Sequence, residues 1–179
     1  VRDLLMLSRI DYEKEQWEMK RIDISKVVKD CVYKMDISAK QKKQSIVLEI
    51  AEDIPKIIGD KDRIEQVLIN IIGNSIKYTP VKGKISVRLF EDGEFINIEI
   101  VDNGIGIPRE DAERLFERFY RVDKGRSRVL GGTGLGLSIA KQIVQAHNGS
   151  IDLKSTYKEG TEVTIKLPMI NKLADVKLS

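Results

Sequence analysis

The residues best suited to chemistry lie in three short segments of this sequence. One stretch carries two asparagines and a lysine, Asn70, Asn74 and Lys77. The glycine-rich segments Asp102–Pro108 and Gly131–Ser138 follow at intervals of about thirty residues. An amide oxygen is an acceptable Mg²⁺ ligand, a lysine is a point charge for phosphate, and a carboxylate accepts a hydrogen bond from an exocyclic amine. In this order the segments predict a pocket with adenine at one end and magnesium triphosphate at the other.

The first segment is predicted to be a helix over residues 60–78. On a helical wheel its polar side chains fall within about 80° of arc, beside a broad apolar face that belongs in the core. Asparagine is a poor helix former, yet two stand in mid-helix. A solvated polar face would explain the stripe alone, but the glycine segments favour Asn74 as a Mg²⁺ ligand and Lys77 as a phosphate contact. The stripe comprises Arg63, Gln66, Asn70, Asn74 and Lys77.

The first glycine-rich segment begins where a predicted apolar strand ends. Asp102 follows Ile98 and Ile100 on that strand, and the chain then turns through Asn103–Pro108. Glycine allows a backbone to pass close to a flat ligand, and the Asp102 carboxylate can accept a hydrogen bond from the adenine amine. A tight turn capped by Asp102 is the alternative explanation.

The second glycine-rich segment leads directly into a helix predicted from about Leu135 to His147. A loop that presents backbone N–H groups at a helix N-terminus binds phosphate through its geometry and partial charge. Gly132–Gly136 is therefore a candidate phosphate site. The spacing differs from G-x-G-x-x-G, and no G-x-x-x-x-G-K-[ST] occurs, so the dinucleotide-fold and P-loop interpretations are excluded.

A long charged stretch, Pro108–Gly134, runs between the glycine segments, and loops of this length are often lids. Within it, Phe116–Asp123 brings aromatic side chains and arginines together. Arg118 and Arg121 are placed to lean over a terminal phosphate, and Phe116 and Phe119 to pin the lid to the body. Ordinary surface charge on a long loop is the alternative for the arginines.

The remaining elements follow from hydrophobic periodicity and turn residues. The predicted strands cluster in hairpins with helices between them, without steady βαβ alternation. We therefore predict an α+β fold, a two-layer sandwich with a mixed, mostly antiparallel sheet and helices on one face. Beyond the elements above, the prediction comprises a helix over Ile24–Gln44 capped by Ser25, and strands at Ser45–Ile50, Lys84–Phe90, Phe95–Val101, Ser150–Ser155 and Thr161–Leu167.

Residues 21–168 are predicted to form the main domain and residues 169–179 a tail. Residues 1–20 read as a helix, either docked on the domain or, as we favour, the remnant of a helical hairpin or dimer stem.

Composition limits the class of protein. The 179 residues include 31 basic and 28 acidic side chains, a net charge of +3, which is not the basic face of a nucleic-acid binder. No apolar run approaches the ~20 residues of a membrane span, and no signal peptide is evident. The single cysteine, Cys31, cannot form an internal disulfide, which favours a reducing, cytoplasmic setting. Its position in a helical pattern predicts core packing over a reactive thiol.

Together the segments closely resemble the ATP-binding catalytic domain of two-component sensor histidine kinases. That family shares a Bergerat-type ATP-binding fold with Hsp90, type II topoisomerases and MutL. Asn70–Pro80 is similar to its N box, Asp102–Ile107 and Gly132–Leu137 to its two glycine boxes, Phe116–Tyr120 to its F box, and Glu159–Thr161 to its closing glycine-threonine pair.

The resemblance implies ATP and Mg²⁺ as cofactors. Asn74 with Asn70 would hold Mg²⁺, Asp102 would recognise adenine, and Tyr78 would flank the base. Lys77, Arg118 and Arg121 would join Asn74 in catalysis. The other implied nucleotide contacts are Asn103, Gly104, Gly106, Ile107, Phe119, Tyr120, Gly132, Thr133, Gly134, Leu135, Gly136, Leu137 and Thr161.

One departure from the family pattern concerns the phosphoacceptor histidine. It precedes the second helix of the dimerisation hairpin, whose end Leu4–Asp11 resembles, and this sequence has no histidine there. The sole histidine, His147, is expected to be a helix-terminal residue stabilised by the helix dipole. We therefore expect the chain to bind ATP with Mg²⁺ but not to phosphorylate itself.

The resemblance also implies partners. The acceptor histidine would lie on a separate hairpin, with a response regulator downstream. The piece alone would be a monomer, and the full-length bacterial kinase a membrane-anchored dimer whose catalytic domain is cytoplasmic. Two alternatives remain open at this point: a stand-alone serine kinase of the anti-sigma-factor type, against which Leu4–Asp11 argues, and a regulatory module that holds nucleotide without transfer.

Overall fold

A computed structural model of the chain describes residues 16–117 and 136–170. Helices and strands are interspersed along these ranges. In chain order they are β1 (Lys20–Ile22), α1 (Ile24–Gln41), β2 (Ser45–Ile50), β3 (Ile57–Gly59), α2 (Lys61–Tyr78), β4 (Lys84–Asp92), β5 (Phe95–Asp102), α3 (Arg109–Ala112), α4 (Gly136–Ala146), β6 (Ser150–Thr156) and β7 (Gly160–Pro168).

The main sheet has five strands in the order β2-β4-β5-β7-β6. The β2–β4 pair is parallel and the other pairs are antiparallel, so the predicted mixed, mostly antiparallel sheet is confirmed. A second, two-stranded sheet joins β1 and β3 antiparallel. The sequence analysis missed these strands because three residues are too few to show an alternating pattern.

One face of the main sheet is apolar and carries the helices. Along β4, Ile85, Val87 and Leu89 are buried, whereas Lys84 before them and Arg88 among them are exposed. The apolar sides of α1, α2 and α4 complete the core with this face, which confirms the predicted two-layer α+β sandwich. Cys31 is fully buried in this core, and burial raises the pKa of its thiol to about 12, as expected of a packing residue.

Helix α2 occupies almost the full range predicted for it. It begins after Asp60, whose carboxylate accepts the Arg63 backbone N–H at 3.1 Å as an N-cap. It ends at Tyr78, two residues before Pro80, where a proline cannot continue the helix.

The ends of α1 differ from the prediction, whereas the end of α4 agrees with it. Asp23, not the predicted Ser25, caps α1 by accepting the Lys26 N–H. Helix α1 ends at Gln41 rather than Gln44, since Lys43 adopts a φ of 54°. Helix α4 ends at Ala146, followed by Asn148 at a φ of 58°, so the predicted left-handed terminator is confirmed.

The segment before α1 differs from the prediction of one helix over residues 1–20. Residues 17–19 have no regular structure, and strand β1 begins at Lys20. Leu4–Asp11 and the tail beyond residue 170 lie outside the described residues. The predicted domain limits stay predictions.

His147 has a different role from the one predicted for it. Its side chain is 3% exposed. Its Nε2 accepts the Asp60 backbone N–H at 3.0 Å, and its Nδ1 lies 2.8 Å from the Ile143 carbonyl oxygen. Nδ1 therefore carries the proton of a neutral ring. Burial lowers the pKa of His147, although the Ile143 carbonyl and Asp60 oppose the shift. The predicted helix-terminal position is confirmed, but the ring is a neutral bridge from α4 to the start of α2 rather than a group stabilised by the helix dipole.

This burial predicts a loss of stability in mild acid. The histidine of the unfolded chain becomes protonated near pH 6.5, whereas His147 in the folded chain becomes protonated only at a lower pH. The free energy of unfolding should therefore fall as pH drops below about 6.5 through the folded pKa, by up to about 1.4 kcal/mol per pH unit. His147→Gln can offer an amide oxygen to Asp60 without titrating, and should lack this component. Urea unfolding of both proteins between about pH 7.5 and about pH 5.5 measures it. Parallel curves would contradict the prediction.

Candidate functional site

The Asp102 carboxylate lies at the end of β5, where that strand meets the last turn of α2. It is 8% exposed and accepts the Gly104 backbone N–H at 2.9 Å. Burial raises the pKa of Asp102, and hydrogen bonds from Gly104, the Ser75 side chain and the Thr161 backbone oppose the rise. When hydrogen bonds within the protein do not fully offset the desolvation of a buried aspartate, its carboxylate is a strong acceptor for a donor from a bound ligand.

The glycines after Asp102 are required by the protein's own backbone. A Cβ at Gly104 would lie 2.6 Å from the Tyr78 carbonyl oxygen, and one at Gly106, whose φ is +64°, would lie 2.0 Å from that of Thr156. Ile105 is also tied on both sides: its N–H donates to the Tyr78 carbonyl at 3.2 Å, and its carbonyl accepts the Lys158 N–H at 2.7 Å. The segment is clamped between α2 and the β6–β7 turn, and close approach to a flat ligand stays a prediction.

Ser155 holds this clamp together, and the sequence analysis missed it. Its Oγ accepts the Ile107 N–H at 2.8 Å, donates to the Gly160 carbonyl at 2.9 Å and lies 2.8 Å from Thr161 Oγ1. A hydroxyl has one donor and two acceptor positions, so these contacts use all of them. One signal was available: Ser155 is polar at a position where the alternation of β6 places Ile151 and Leu153 inward.

Several predicted contacts meet in this region. Thr161 pairs with Asp102 across β5 and β7. Asn103 lies beside them, but its amide oxygen already accepts the Lys84 N–H at 2.8 Å. Asp102, Asn103, Gly104, Gly106, Ile107 and Thr161 are therefore brought together at one end of α2.

The asparagine stripe faces the start of α4. Asn70 Nδ2 donates to the Gly136 carbonyl at 3.4 Å, so the first residue of α4 lies against the stripe. Asn70 and Asn74 are both partly exposed. Leu137, also predicted as a nucleotide contact, is partly buried and packs against the core. Its contact with a nucleotide stays a prediction.

Two further residues hold the last turn of α2, and neither was predicted. Lys42 Nζ donates to the carbonyls of Ile76, Lys77 and Thr79, at 2.7, 3.2 and 2.8 Å. The buried Gln44 amide donates to the carbonyls of residues 76 and 79 at 2.9 and 2.7 Å, and reaches that of residue 80 at 3.4 Å.

This turn carries the predicted ligand contacts Lys77 and Tyr78. The Lys77 ammonium lies 5.4 Å from the centroid of the Tyr78 ring, and Tyr78 is 38% exposed. Their backbone is thus fixed by the turn that follows α1, while their side chains reach the surface beside the first glycine segment.

Only the beginning of the predicted lid is described. The Lys141 ammonium of α4 lies 5.4 Å from the ring centroid of Phe116, which agrees with Phe116 as an anchor on the body. The other predicted lid and loop residues lie outside the described ranges: Arg118, Phe119, Tyr120, Arg121, Gly132, Thr133, Gly134 and Leu135.

Known proteins resemble this chain in sequence and in fold. Residues 59–171 match the family model described as histidine kinase-, DNA gyrase B-, and HSP90-like ATPase. The sensor histidine kinase WalK of Bacillus subtilis is 43% identical over 174 residues, which cover 94% of this chain and 28% of WalK. The chain thus spans less than a third of the length of this relative.

Two solved structures agree with the fold. The catalytic domain of histidine kinase ThkA superposes with a TM-score of 0.74 at 24% identity, covering 84% of this chain and 95% of that one. At this identity the likeness shows the fold alone. Full-length ShkA in complex with AMPPNP superposes with a TM-score of 0.79 at 25% identity, covering 93% of this chain and 34% of that one.

Ser155→Ala tests the clamp on the glycine segment. The change leaves the Ile107 N–H and the Gly160 carbonyl unpaired in a half-buried place, which should cost about 1–3 kcal/mol of unfolding free energy. It should also speed hydrogen exchange at the Ile107 amide. Ser150→Ala, at an exposed position of the same strand, is the matched control and should change stability by less than about 0.5 kcal/mol. Equal stability of the two variants would refute the role given to Ser155.

Proposed function

This chain belongs to the histidine kinase-, DNA gyrase B- and HSP90-like ATPase family, as a histidine kinase-type ATP-binding catalytic domain, and we propose that it donates the γ-phosphoryl group of Mg²⁺-bound ATP to a histidine on a separate helical hairpin. Binding of ATP is the function common to such domains. The metal, the acceptor and the residue roles are the proposal.

The buried Asp102 carboxylate is the observation that carries the proposal. A turn needs no buried charge, because an uncharged side chain could accept the same backbone N–H groups at a smaller desolvation cost. The carboxylate is therefore best explained by a ligand that donates to it. The adenine amine is such a donor, and the exposed Tyr78 ring beside it would flank the base.

The residues of the stripe suit Mg²⁺ shared with a triphosphate. Asn70 and Asn74 offer neutral oxygens at the surface, next to the start of α4. The carboxylate of Glu65 on the same helix is engaged by Lys34 of α1, on another side of α2. Magnesium keeps several waters and shares phosphate oxygens, so neutral amide ligands hold it without repelling the nucleotide. The bound ion would supply charge neutralisation on the phosphates.

The chain's contribution to transfer would be positioning and charge. Phosphoryl transfer needs the acceptor in line with the leaving oxygen and donors around the phosphate oxygens. We assign Lys77 and the N–H groups at the start of α4, with Gly132–Gly136, to the phosphates, and Arg118 and Arg121 to the terminal one. No acceptor histidine is assigned within the chain, because His147 is buried as a bridge between two helices.

The longer protein would pass the phosphoryl group from its own hairpin to a response regulator, acting as a dimer. No helix in residues 16–117 or 136–170 has the length and apolar character needed to cross a bilayer. We propose that this domain works in the bacterial cytoplasm and that any membrane anchor belongs to another part of the protein.

Transfer can be tested by mixing the chain with labelled ATP, Mg²⁺ and a histidine-bearing hairpin from a WalK-type kinase. We expect label on the hairpin that is stable in alkali and lost in acid, as phosphohistidine is. The same hairpin with its histidine replaced by alanine is the control and should stay unlabelled. An acid-stable product on serine would favour a serine kinase, and tight ATP binding without any labelled acceptor would reduce the function to nucleotide binding.

The proposed adenine and Mg²⁺ ends of the pocket can be tested independently by calorimetry of ATP binding with and without Mg²⁺. Asp102→Asn should weaken binding at least tenfold in both conditions, since a mismatched buried hydrogen bond costs about 1.4 kcal/mol or more. Asn74→Ala should instead remove most of the difference that Mg²⁺ makes. Asp152→Asn, at an exposed position of β6, is the control for charge. Affinities unchanged by both variants would count against this pocket.

A further inference from the structure

The segment that leads into the domain, residues 16–22, is fixed where α2 and α4 meet. Strand β1 pairs with β3, with Lys20 opposite Gly59 and Ile22 opposite Ile57. Just before it, the Glu18 backbone N–H donates to Asp60 Oδ2 at 2.9 Å. The segment is thus attached to Asp60, the residue that caps the start of α2.

Asp60 serves the helix and the segment at once. Its Oδ1 accepts the Arg63 N–H and caps α2, its Oδ2 accepts the Glu18 N–H, and its own N–H donates to His147 Nε2. His147 stands just beyond α4, and its Nδ1–H donates to the Ile143 carbonyl in the last turn of that helix. A continuous chain of hydrogen bonds therefore runs from the segment through the start of α2 to the end of α4.

Trp17 covers this junction. Its ring stacks on that of His147, with centroids 5.5 Å apart and planes 28° from parallel. The Arg63 guanidinium lies 5.7 Å from the same indole. We call Trp17, Asp60, Arg63 and His147 the entry cluster. Its geometry depends on the segment and on both helices together.

The same two helices meet again at the proposed nucleotide site. Asn70 of α2 contacts Gly136 at the start of α4. His147 lies eleven residues further on, about 16 Å along the helix axis at 1.5 Å per residue. A nucleotide that bridges the stripe and the start of α4 sets the separation of the helices at one point, and the entry cluster sets it at the other.

We propose that docking of residues 16–22 through the entry cluster and nucleotide binding are coupled, each strengthening the other. Docking ties the start of α2 to the end of α4, so the ligand does not have to hold the two helices together by itself. The inference rests on the proposed function for the nucleotide site. Through this coupling, the position of the segment that precedes β1 changes the affinity of that site for nucleotide. The two states are the docked segment and the segment released from Asp60 and His147.

Thermodynamic linkage gives this proposal two measurements that must agree. If docking strengthens ATP binding by some factor, then ATP must favour the docked segment by the same factor. We expect Trp17→Ala to weaken Mg²⁺-ATP binding about fivefold, the lower end of typical coupling between sites. Saturating Mg²⁺-ATP should slow hydrogen exchange of the Glu18 amide in the unchanged chain by a similar factor, because that amide exchanges when the segment is released.

Three control variants separate coupling from a general loss of stability. Trp17→Phe keeps a ring against His147 and should restore most of the affinity. Val87→Ala, in the middle of β4, should lower the unfolding free energy by at least as much as Trp17→Ala and leave ATP affinity within twofold. His147→Gln should keep Asp60 paired while losing the ring stack, and should lie between the unchanged chain and Trp17→Ala.

The outcomes distinguish this inference from the proposed function. Calorimetry that finds no ATP binding to the unchanged chain overturns both. ATP binding that is equal in the unchanged chain and Trp17→Ala, with Glu18 exchange unaffected by nucleotide, overturns the coupling alone. A loss of affinity that Val87→Ala reproduces would also overturn it, because the effect would then follow stability. Trp17 is the only tryptophan, so its fluorescence during an ATP titration gives an independent signal, expected to change with the calorimetric affinity.

Discussion

The described structure depends on finding hydrogen-bond partners for the backbone groups at the two ends of α2. A helix leaves its first N–H groups and last carbonyls without internal partners, and each one buried unpaired costs about 1–3 kcal/mol. Here the adjacent residue Asp60 supplies a partner at the first turn, and segments far away in the sequence supply partners at the last turn. Asp60 caps the first turn, while Lys42, Gln44 and the Ile105 N–H satisfy carbonyls of the last one. The helix that carries the asparagine stripe is therefore capped at its start by Asp60, and its end is held by the turn after α1 and by the first glycine segment.

The end of the site proposed to bind adenine keeps a carboxylate, Asp102, at a cost to the stability of the fold. Burial raises the pKa of Asp102, so the ionised form is less stable there than in water, and three hydrogen bonds recover only part of the difference. Binding sites often retain such destabilising groups because a ligand uses them. The first glycine segment is also clamped on both sides, by Tyr78 and by the β6–β7 turn. Since little of it has to be ordered when a ligand arrives, more of the contact energy remains for binding.

Residues of unusual type for their position could be predicted from the sequence. Asparagines in mid-helix and an aspartate at the end of an apolar strand were recognised in this way. The main helices and strands could also be predicted, because their hydrophobic periodicity extends over several helical turns or several alternating residues. Lys42 and Gln44 could not be recognised, because they are ordinary residues in ordinary places whose roles arise from contacts 32 to 37 positions away. Ser155 gave one signal, its polarity at an inward position of β6, but its role arises from contacts 5 to 48 positions away. The early end of α1 goes with these contacts: Lys43 turns the chain at a φ of 54°, and the Gln44 amide beyond it reaches the carbonyls that end α2.

His147 shows how much a contact from another part of the chain can change a residue's chemistry. A histidine after a helix is expected to be charged and exposed to the helix dipole. The Asp60 N–H and the Trp17 ring remove it from water instead, and its ring is then a neutral acceptor. That acceptor is available to Asp60 only while α4 ends beside the start of α2. Because Asp60 also holds the incoming segment, the chain's entry into the domain and the spacing of the two helices at the proposed nucleotide site belong to one connected arrangement.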